Sequence, residues 1–351
     1  MYTITLEINQ KCNLCCNYCY LGELTDNTMS SETAVKSIDM AFANVKSHRD
    51  NKLWFHFVGG EILLDFKLLQ NIVSYIKERN VYEQKILTFS LTTNATLFSQ
   101  DIMDWLTDND FIIKVSIDGD KETNDSNRIS KSGYSVYDKI LDNWHYIKDY
   151  EEKCKRYVQV TNVITKNNYM NYFYSLRYMV EELGIKIIDT ALDLTVSWDE
   201  VELSNIKEGI RGSFAFYMDS VRNHKEFYWN FMNELKHSVE KKKIFYTCGA
   251  GLITHYIRTD GKLFACTACL DKEYSLGDID KGLYLDKINF LKEVKEIHNK
   301  SCTACSLYDY CGAKSCIMTS LRSNGDINRP NDTLCRMEQF MYGFYQEMKN
   351  K

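Results

Sequence analysis

The sequence predicts an α/β protein in which a parallel sheet forms a partial barrel and a smaller, cysteine-rich α+β region follows. Three observations lead to this fold class. Six β-rich runs alternate with helical stretches in residues 1–190, short hairpins and loops occupy residues 246–351, and 11 of the 13 cysteines cluster in two parts of the chain. Residues 191–245 are charged and aromatic, and we expect them to form a helical bridge.

The predicted strands and helices alternate regularly along the first part of the chain. Strands are expected at residues 2–8, 52–58, 86–93, 112–117, 157–164 and 185–188, separated by helices that include 31–47, with Ser30 or Ser31 as its cap, and 134–150. Helices of this length between strands imply right-handed crossovers and a parallel sheet. Six strands are too few to close an eight-stranded barrel, so we expect an open (β/α)6 sheet with its chemistry at the carboxyl ends of the strands.

The C-terminal part has a different pattern. Asp260–Gly261 predicts a hairpin turn between two short strands, and a final amphipathic helix is expected at residues 333–349.

Composition excludes several classes of protein. Of the 351 residues 44% are hydrophobic and 13% aromatic, which suffices for a packed core. The net charge of −5, with basic residues spread evenly, does not indicate a nucleic-acid surface. No apolar run approaches the roughly 20 residues of a membrane span, and residues 1–9 alternate like a strand rather than a signal peptide. We therefore expect a cytoplasmic protein that binds neither nucleic acid nor membrane.

The loop after the first strand carries the strongest chemical pattern. Cys12, Cys16 and Cys19 form a C-x3-C-x2-C array, and three thiolates on a cubane [4Fe–4S] cluster leave one iron open. A structural zinc loop is the alternative, but zinc needs a fourth ligand. Cys15 is a poor fourth ligand because the side chains of adjacent residues point apart in most loops. The spacing favours iron–sulfur over zinc.

This loop, with the aromatic Tyr18 before its third cysteine, resembles the cluster-binding loop of the radical S-adenosylmethionine (radical SAM) enzymes. The resemblance implies that S-adenosylmethionine binds the open iron and that its reductive cleavage releases a 5′-deoxyadenosyl radical. Gly59–Gly60–Glu61, after the second strand, resembles the family's G-G-E motif, with Glu61 as a carboxylate for the methionine ammonium group. Ile62 stands where the family usually has proline.

Further S-adenosylmethionine contacts are implied at the later strand ends. Ser116, Asp118 and Arg128 resemble the V-S-x-D-G…R stretch of the peptide- and protein-modifying branch, where the Ser and Arg positions hold the carboxylate and ribose. The alternative for Ser116 and Asp118 is a loop that caps the next helix. The remaining candidates are Thr93 and Asn94 after the third strand and, as adenine-side contacts, Asn162 and Ile164.

Eight cysteines between Cys248 and Cys335 form the second cluster of thiols. With the first three they match the count for one open and two fully ligated cubanes. Their order resembles the seven-cysteine SPASM domain of peptide and protein maturases, although Cys311-x4-Cys316 replaces the usual x3. This resemblance implies that the outer auxiliary cluster is held by Cys302, Cys305, Cys311 and Cys335. It implies that the inner auxiliary cluster is held by Cys248, Cys266 and Cys316, with Cys269 as a fourth ligand.

The resemblance implies a radical SAM enzyme that modifies a ribosomally made peptide by crosslinking, thioether formation or epimerisation. It also implies an electron donor such as flavodoxin or ferredoxin. The alternative is a sulfatase-maturing enzyme that forms formylglycine, but in that family an Asp base follows the second SPASM cysteine, whereas Thr267 follows Cys266 here and the nearest acid is Asp271. An iron–sulfur electron carrier or sensor is the non-enzymatic alternative. No catalytic acid or base is assigned.

Overall fold

The computed structural model describes residues 1–232, 246 and 248–349. The end of the predicted bridge, 233–245, and Thr247 lie outside these residues. In the described part, no helix is both long enough and apolar enough to cross a membrane.

One eleven-stranded sheet organises the chain, in the order β11-β10-β9-β8-β1-β2-β3-β4-β5-β6-β7. The strands of the first part are β1 Tyr2–Asn9, β2 Lys52–Gly59, β3 Ile86–Thr93, β4 Ile112–Ser116, β5 Gln159–Ile164 and β6 Ile187–Leu192. All neighbouring pairs among these six are parallel. The predicted α/β class and open parallel sheet are confirmed.

The sheet extends beyond the six predicted strands at both sides. β7 (Tyr228–Trp229), inside the predicted helical bridge, pairs in parallel with β6. On the other side β8 (Thr254–Ile257) pairs in parallel with β1, and β9 (Lys262–Phe264), β10 (Gly277–Asp278) and β11 (Gly282–Leu283) continue the sheet in antiparallel fashion. The C-terminal strands are therefore continuous with the barrel sheet.

The helices lie where the sequence pattern places most of them. Ser30 caps the first helix by accepting a hydrogen bond from the Thr33 amide, as predicted. The stretch predicted as one helix at 134–150 is two helices, because the chain turns at Asn143, whose side chain donates to the Ala95 carbonyl. The helices are α1 Ser31–Val45, α2 Phe66–Glu83, α3 Gln100–Asp108, α4 Lys121–Asn127, α5 Val136–Asp142, α6 Trp144–Cys154, α7 Tyr172–Glu181, α8 Glu200–Arg222, α9 Leu285–Glu293, α10 Lys300–Thr303, α11 Ile317–Asn324 and α12 Asp332–Lys349.

Alternation along the strands divides the sheet into two faces. Ile4, Leu6, Phe55 and Phe57 are buried on the face that the helices cover. An aromatic group that includes Phe57 and Phe111, with ring centroids 5.8 Å apart, fills the space between the sheet and the helices. The other face of the strands carries polar residues, and the carboxyl ends of β1 to β6 meet at one edge of the sheet. This edge holds the site.

The hairpin predicted at Asp260–Gly261 is present. Gly261 has a φ of +81°, and the Arg258 amide donates to the Lys262 carbonyl across the turn. The adjacent C-terminal segments bury a separate apolar cluster that includes Tyr246, Cys269, Leu276 and Ile317.

Candidate functional site: a cysteine-lined cavity at the carboxyl edge of the sheet

A cavity of about 470 Å3 lies at the carboxyl ends of the strands. It collects ten of the fourteen residues that the sequence assigned to the first cluster and to S-adenosylmethionine; Glu61, Asp118, Asn162 and Ile164 do not line it. The ten that line the cavity are Cys12, Cys16, Tyr18, Cys19, Gly59, Gly60, Thr93, Asn94, Ser116 and Arg128.

The cysteine loop is held from outside by the segment after α4. The Cys15 and Asn17 amides donate to the carbonyls of Ile129 and Asn127, at 2.8 and 3.0 Å. Cys15 itself is exposed, lies off the cavity and turns its Sγ toward the Ile129 carbonyl at 3.5 Å. The loop therefore presents Cys12, Cys16 and Cys19 to the cavity and turns Cys15 away from it, as the sequence analysis expected.

The three thiols fit an iron–sulfur cluster. Burial raises the pKa of the Cys12 thiol to about 12, and Glu61 and the sulfurs of Cys16 and Cys19 act in the same direction. Three thiolates here need a cationic centre to offset their charge, which cluster irons supply. Among the described residues no three His, Cys, Asp or Glu side chains converge as ligands of a single metal ion. Cubane ligands bind different irons and need not converge on one point.

The two glycines after β2 serve the cysteine loop itself. A Cβ placed on Gly60 would lie 2.1 Å from the Lys11 carbonyl oxygen, and one on Gly59 would lie 2.5 Å from Asn9 Oδ1. The Glu61 amide donates to the same Lys11 carbonyl at 2.7 Å. The close approach that the sequence analysis expected toward a ligand is made toward the chain's own loop, while both glycines still line the cavity.

The Glu61 carboxylate does not face the cavity. It is 1% exposed and accepts hydrogen bonds from the Leu63 amide at 3.1 Å, the Thr93 hydroxyl at 2.7 Å and the Asn94 amide at 2.7 Å. Burial raises the pKa of Glu61, and these hydrogen bonds oppose the rise. Three donors of the chain thus hold the carboxylate in place, and its contact with an ammonium group stays a prediction. Its role here is to tie the β2 end to the β3 end.

Asn94 joins the β3 end to the cysteine loop. Its Nδ2 donates to Asn13 Oδ1 at 2.9 Å and lies 3.9 Å from Cys12 Sγ, while its Oδ1 accepts from the Thr96 hydroxyl at 2.6 Å. Thr93 and Asn94 therefore line the cavity and also hold its wall in place.

Asp118 is also placed behind the cavity wall, as the centre of a buried network. It is 0% exposed, its Oδ2 accepts from the Tyr18 hydroxyl at 2.7 Å and its Oδ1 accepts from the Val163 amide at 3.0 Å. Arg128 is 5% exposed, and its Nε lies 3.1 Å from Asp118 Oδ2. The Arg128 guanidinium also stands over the Tyr18 ring at 5.4 Å. Asp118 thus orients two cavity-lining side chains rather than reaching a ligand itself.

The β5 side chains that were predicted to contact adenine lie on the face of the strand that is turned away from the cavity. Thr161 and Val163 line the cavity, whereas Asn162 is 1% exposed on the opposite face, where its Oδ1 accepts from the Thr190 hydroxyl. Ile164 shares the face of Asn162, because side chains alternate along a strand. The side chains of Asn162 and Ile164 therefore do not line the cavity, and the adenine-side contacts at these positions stay a prediction. Thr161 Oγ1 is buried, has no hydrogen bond in the described structure and is a donor or acceptor that a ligand can use.

Several C-terminal cysteines have other sulfurs nearby, and their assignment to two clusters stays a prediction. Burial raises the pKa of Cys266 to about 12, with Cys316 and Cys248 as nearby sulfurs that add to the rise. Burial likewise raises the pKa of Cys335, with Cys311, Cys302 and Cys305 as its neighbours. Cys269 is 1% exposed and its amide lies 3.5 Å from the Cys266 carbonyl oxygen. The structure brings the members of each set near one another.

The cavity wall also contains residues that the sequence analysis did not identify. They come from the turn after β6 and from the C-terminal region, and no local motif marks them because distant segments are brought together by folding. They include Asp193, Thr195, Thr267, Ala268, Thr319, Arg322 and Ser323.

An open parallel sheet with a three-cysteine loop and a glycine-lined cavity at its carboxyl edge defines a class of iron–sulfur enzyme. Comparison with known proteins agrees with this class. The family described as 4Fe-4S single cluster domain matches residues 5–137. An uncharacterized protein of Methanocaldococcus jannaschii is 30% identical over 190 residues, which cover 54% of this chain and 61% of that protein. The chain thus spans less than two thirds of that relative's length.

Other relatives match along nearly the whole chain. The cysteine-type anaerobic sulfatase-maturating enzyme of Clostridium perfringens is 23% identical over 339 residues, 90% of each chain. A solved structure of anSMEcpe with bound AdoMet and Cp18Cys peptide shares the fold, with a TM-score of 0.77 and 18% identity over 99% of this chain and 98% of that one. Streptococcus suis SuiB bound to the precursor peptide SuiA gives a TM-score of 0.65 and 16% identity over 95% and 76%.

The chain is similar along most of its length to enzymes of the radical SAM superfamily and shares the fold of solved ones, and its C-terminal region is rich in cysteine. It is an enzyme that depends on [4Fe–4S] clusters and S-adenosylmethionine rather than a simple electron carrier. Its relatives include a sulfatase-maturating enzyme, and SuiB, which shares the fold, is described with a bound precursor peptide.

Proposed function

We propose that the cavity binds S-adenosylmethionine beside a [4Fe–4S] cluster held by Cys12, Cys16 and Cys19, and that the enzyme takes a hydrogen atom from a residue of a ribosomally made peptide. The observation that carries the proposal is the convergence of three half-buried thiols, Arg128 and Thr161 on one cavity. When bound, the cluster and S-adenosylmethionine together supply the 5′-deoxyadenosyl radical.

The chain's own residues bind and orient the cofactor. The Arg128 guanidinium, held by Asp118, supplies a planar fork for the S-adenosylmethionine carboxylate or ribose, and Ser116 and the Thr161 hydroxyl lie on the same wall. Leu14 and Val163 make part of the lining apolar, which limits water around a reactive group. Asn94 keeps the cysteine loop in register with the sheet edge.

A peptide substrate is supported by the relatives, one of which is described with a bound Cp18Cys peptide and another with a precursor peptide. The position after Cys266 faces the cavity, and it is Thr267. A threonine there cannot act as the carboxylate base that the resemblance to sulfatase-maturing enzymes implies. This favours peptide crosslinking, thioether formation or epimerisation over formylglycine formation.

Formylglycine formation is the second candidate, because the relative that aligns with 90% of the chain is a sulfatase-maturating enzyme. The two candidates differ in product. A Cys-containing sulfatase peptide and short peptides encoded beside this chain, incubated with the reconstituted enzyme and analysed by mass spectrometry, separate a new aldehyde from a crosslinked or epimerised residue. An aldehyde on the sulfatase peptide alone would replace the first candidate by the second.

The proposal extends to the auxiliary clusters and partners. Cys302, Cys305, Cys311 and Cys335 are proposed to hold the outer cluster, and Cys248, Cys266, Cys269 and Cys316 the inner one. A flavodoxin or ferredoxin of the cytoplasm would supply the electron, in a compartment where thiols stay reduced. Residues 1–190 act as the catalytic barrel, 191–245 as a bridge and 246–351 as the SPASM region.

The central experiment replaces single cysteines of the loop. We expect Cys12→Ala to lose the first cluster and to release no 5′-deoxyadenosine from S-adenosylmethionine under dithionite, because one iron loses its protein ligand. The matched control is Cys15→Ala, three residues away in the same loop but exposed and off the cavity. It should keep wild-type release. Release of 5′-deoxyadenosine by Cys12→Ala at the wild-type rate would refute the proposal.

A further inference from the structure

The outer wall of the cavity carries two charged side chains that the proposed cofactor site does not use. Asp193 follows β6, and Arg322 lies on α11 one turn after Thr319. Both line the cavity, together with Thr195 and Ser323. They come from elements more than a hundred residues apart, and they belong to neither the cysteine loop nor the glycine segment.

Asp193 is oriented and keeps one oxygen available. Its Oδ1 accepts from the Thr195 amide at 2.8 Å and from the Thr195 hydroxyl at 2.6 Å. In the described part of the chain its Oδ2 has no hydrogen bond and no cation pairs with the carboxylate. Asp193 is also the one carboxylate among the described residues that line the cavity, since Glu61 and Asp118 lie behind the wall.

Arg322 stands toward the inner cysteines. Burial raises the pKa of Cys269 to about 12, and Arg322 is the nearby cation that opposes this rise. Within the described residues Arg322 has no ion pair, whereas Arg128, the other arginine of the cavity, is neutralised by Asp118. Among the residues that the structure describes, the cavity therefore offers one positive and one negative side chain without an ion pair.

The surface between the charges is mainly apolar. Leu192, Leu194 and Ala268 contribute to it. Charges at the border of an apolar cavity attract a ligand with complementary charges, since the partial loss of water strengthens each interaction. An extended peptide is a ligand that can place charged side chains on either side of an apolar or sulfur-containing residue.

We propose that Asp193 and Arg322 form a charge-reading subsite that selects a peptide substrate with a basic group on one side of the reacting residue and an acidic group on the other. This rests on the proposed function. The subsite sets the direction in which the peptide lies across the cavity, because the two charges are of opposite sign. A peptide of reversed charge order meets like charge at both ends.

The test uses the reconstituted full chain under anaerobic conditions and three fluorescent synthetic peptides of equal length. Each has a central Cys between apolar residues, flanked by Lys and Glu, by Glu and Lys, or by Gln at both positions. Fluorescence anisotropy measures the dissociation constants. We expect the wild type to bind one of the two charged peptides about three- to tenfold more tightly than the other, and we expect added salt to reduce this ratio.

Charge exchange supplies the decisive variant. The double variant Asp193→Lys with Arg322→Glu should prefer the opposite charged peptide, while Asp193→Asn with Arg322→Gln should bind all three about equally. Equal binding of both charged peptides by the wild type, or an unchanged preference in the exchanged variant, overturns the proposal. If a variant fails to fold, as judged by cluster absorbance, the wild-type comparison still decides.

Measurements on the same samples distinguish a failure of the peptide subsite from a failure of the proposed cofactor site. Release of 5′-deoxyadenosine without peptide reports on the cofactor site and is measured in the wild type and in both double variants. Loss of that release in the wild type with a retained peptide preference would reject the cofactor chemistry and keep the subsite. Normal release without any preference would reject the subsite alone.

Discussion

Asp118 shows how a single buried carboxylate can organise a site that it does not touch. It binds the Tyr18 hydroxyl from the cysteine loop, the Arg128 guanidinium and the Val163 amide of β5. Burial raises the pKa of Tyr18, so the phenol stays protonated and donates to Asp118. One side chain thereby fixes the cysteine loop against β5 and sets the charge balance of the cavity arginine.

Asp118→Asn tests this role. Removing the charge leaves Arg128, 5% exposed, without a counter-ion, and a broken buried pair costs about 3 kcal/mol. We expect a fall of that size in the free energy of unfolding, measured by urea titration of the cluster-free protein, and weaker S-adenosylmethionine binding in the reconstituted one. Asp138→Asn, which removes an exposed pair with Lys121, is the control and should change little. Equal effects of the two changes would contradict the role.

His56 gives a pH-dependent prediction. Burial lowers the pKa of His56 to about 4, and the nearby Lys114 contributes, whereas an exposed imidazole titrates near about 6.5. Between these values the unfolded chain binds a proton that the folded chain does not, so stability falls as the pH drops from about 6.5 to about 4. The loss for this one group is about 3 kcal/mol.

His56→Gln should remove this contribution. We expect the free energy of unfolding to fall less in the variant than in the wild type as the pH decreases through that window. Urea titrations of the cluster-free protein measure this difference. His145→Gln, at an exposed position of α6, is the control for the substitution itself. A His56→Gln curve parallel to the wild type would mean that the buried imidazole does not titrate in this way.

At the scale of elements, the end of β2 packs closely against the cysteine loop because Gly59 and Gly60 have no side chains. Gly60→Ala places a Cβ 2.1 Å from the Lys11 carbonyl oxygen, which is backbone and cannot rotate away. We expect a loss of about 2 kcal/mol in stability and poorer retention of the first cluster, seen as lower iron content and faster bleaching.

The control for this change is another glycine of the same chain. Gly343 lies in α12, and a Cβ placed there has no heavy atom within 4 Å. Gly343→Ala should therefore stabilise the protein by about 0.5 to 1 kcal/mol through helix propensity and leave the iron content unchanged. If Gly60→Ala has the same stability and iron content as Gly343→Ala, the close packing of Gly60 against Lys11 is not required for the site.

The sequence predicted the elements better than the directions of their side chains. Strand and helix positions follow from hydrophobic periodicity, and the cysteine loop from its spacing. Asp118 lies in a loop without periodicity, so the sequence does not predict that its side chain lies behind the cavity wall. On β5 the alternation was visible, but the choice between Asn162 and Thr161 depends on which face the helices cover.

What the sequence did not predict is β7, which has two residues, and the pairing of the first hairpin strand, β8, with β1, for example Thr3 with Thr254. Local patterns carry no signal for such pairing, because β propensity in strands of this length is outweighed by tertiary contacts. Asp193 and Arg322 were missed for the same reason, since only the folded chain brings them to one cavity.

At the scale of the whole molecule, the continuous sheet connects the two cysteine-rich parts. β8 pairs with β1, so the strands from which Cys248 and Cys266 extend are fixed next to the strand that leads into the cysteine loop. Thr267 and Ala268 reach the cavity as a result. The distance between the first cluster and the inner auxiliary set is therefore held by hydrogen-bonded strands and not by a linker.

Cys269 decides whether the inner auxiliary cluster is closed. Its amide lies 3.5 Å from the Cys266 carbonyl oxygen, and its side chain is 1% exposed within the C-terminal apolar cluster. We expect Cys269 to be the fourth ligand, so that the wild type holds about twelve irons and Cys269→Ala loses up to about four of them after anaerobic reconstitution. Cys154→Ala is the control, because that half-buried thiol of α6 belongs to neither set. Iron content and cluster spectra of Cys269→Ala that equal those of the control would show that one inner iron is open, and a substrate thiolate could then bind there.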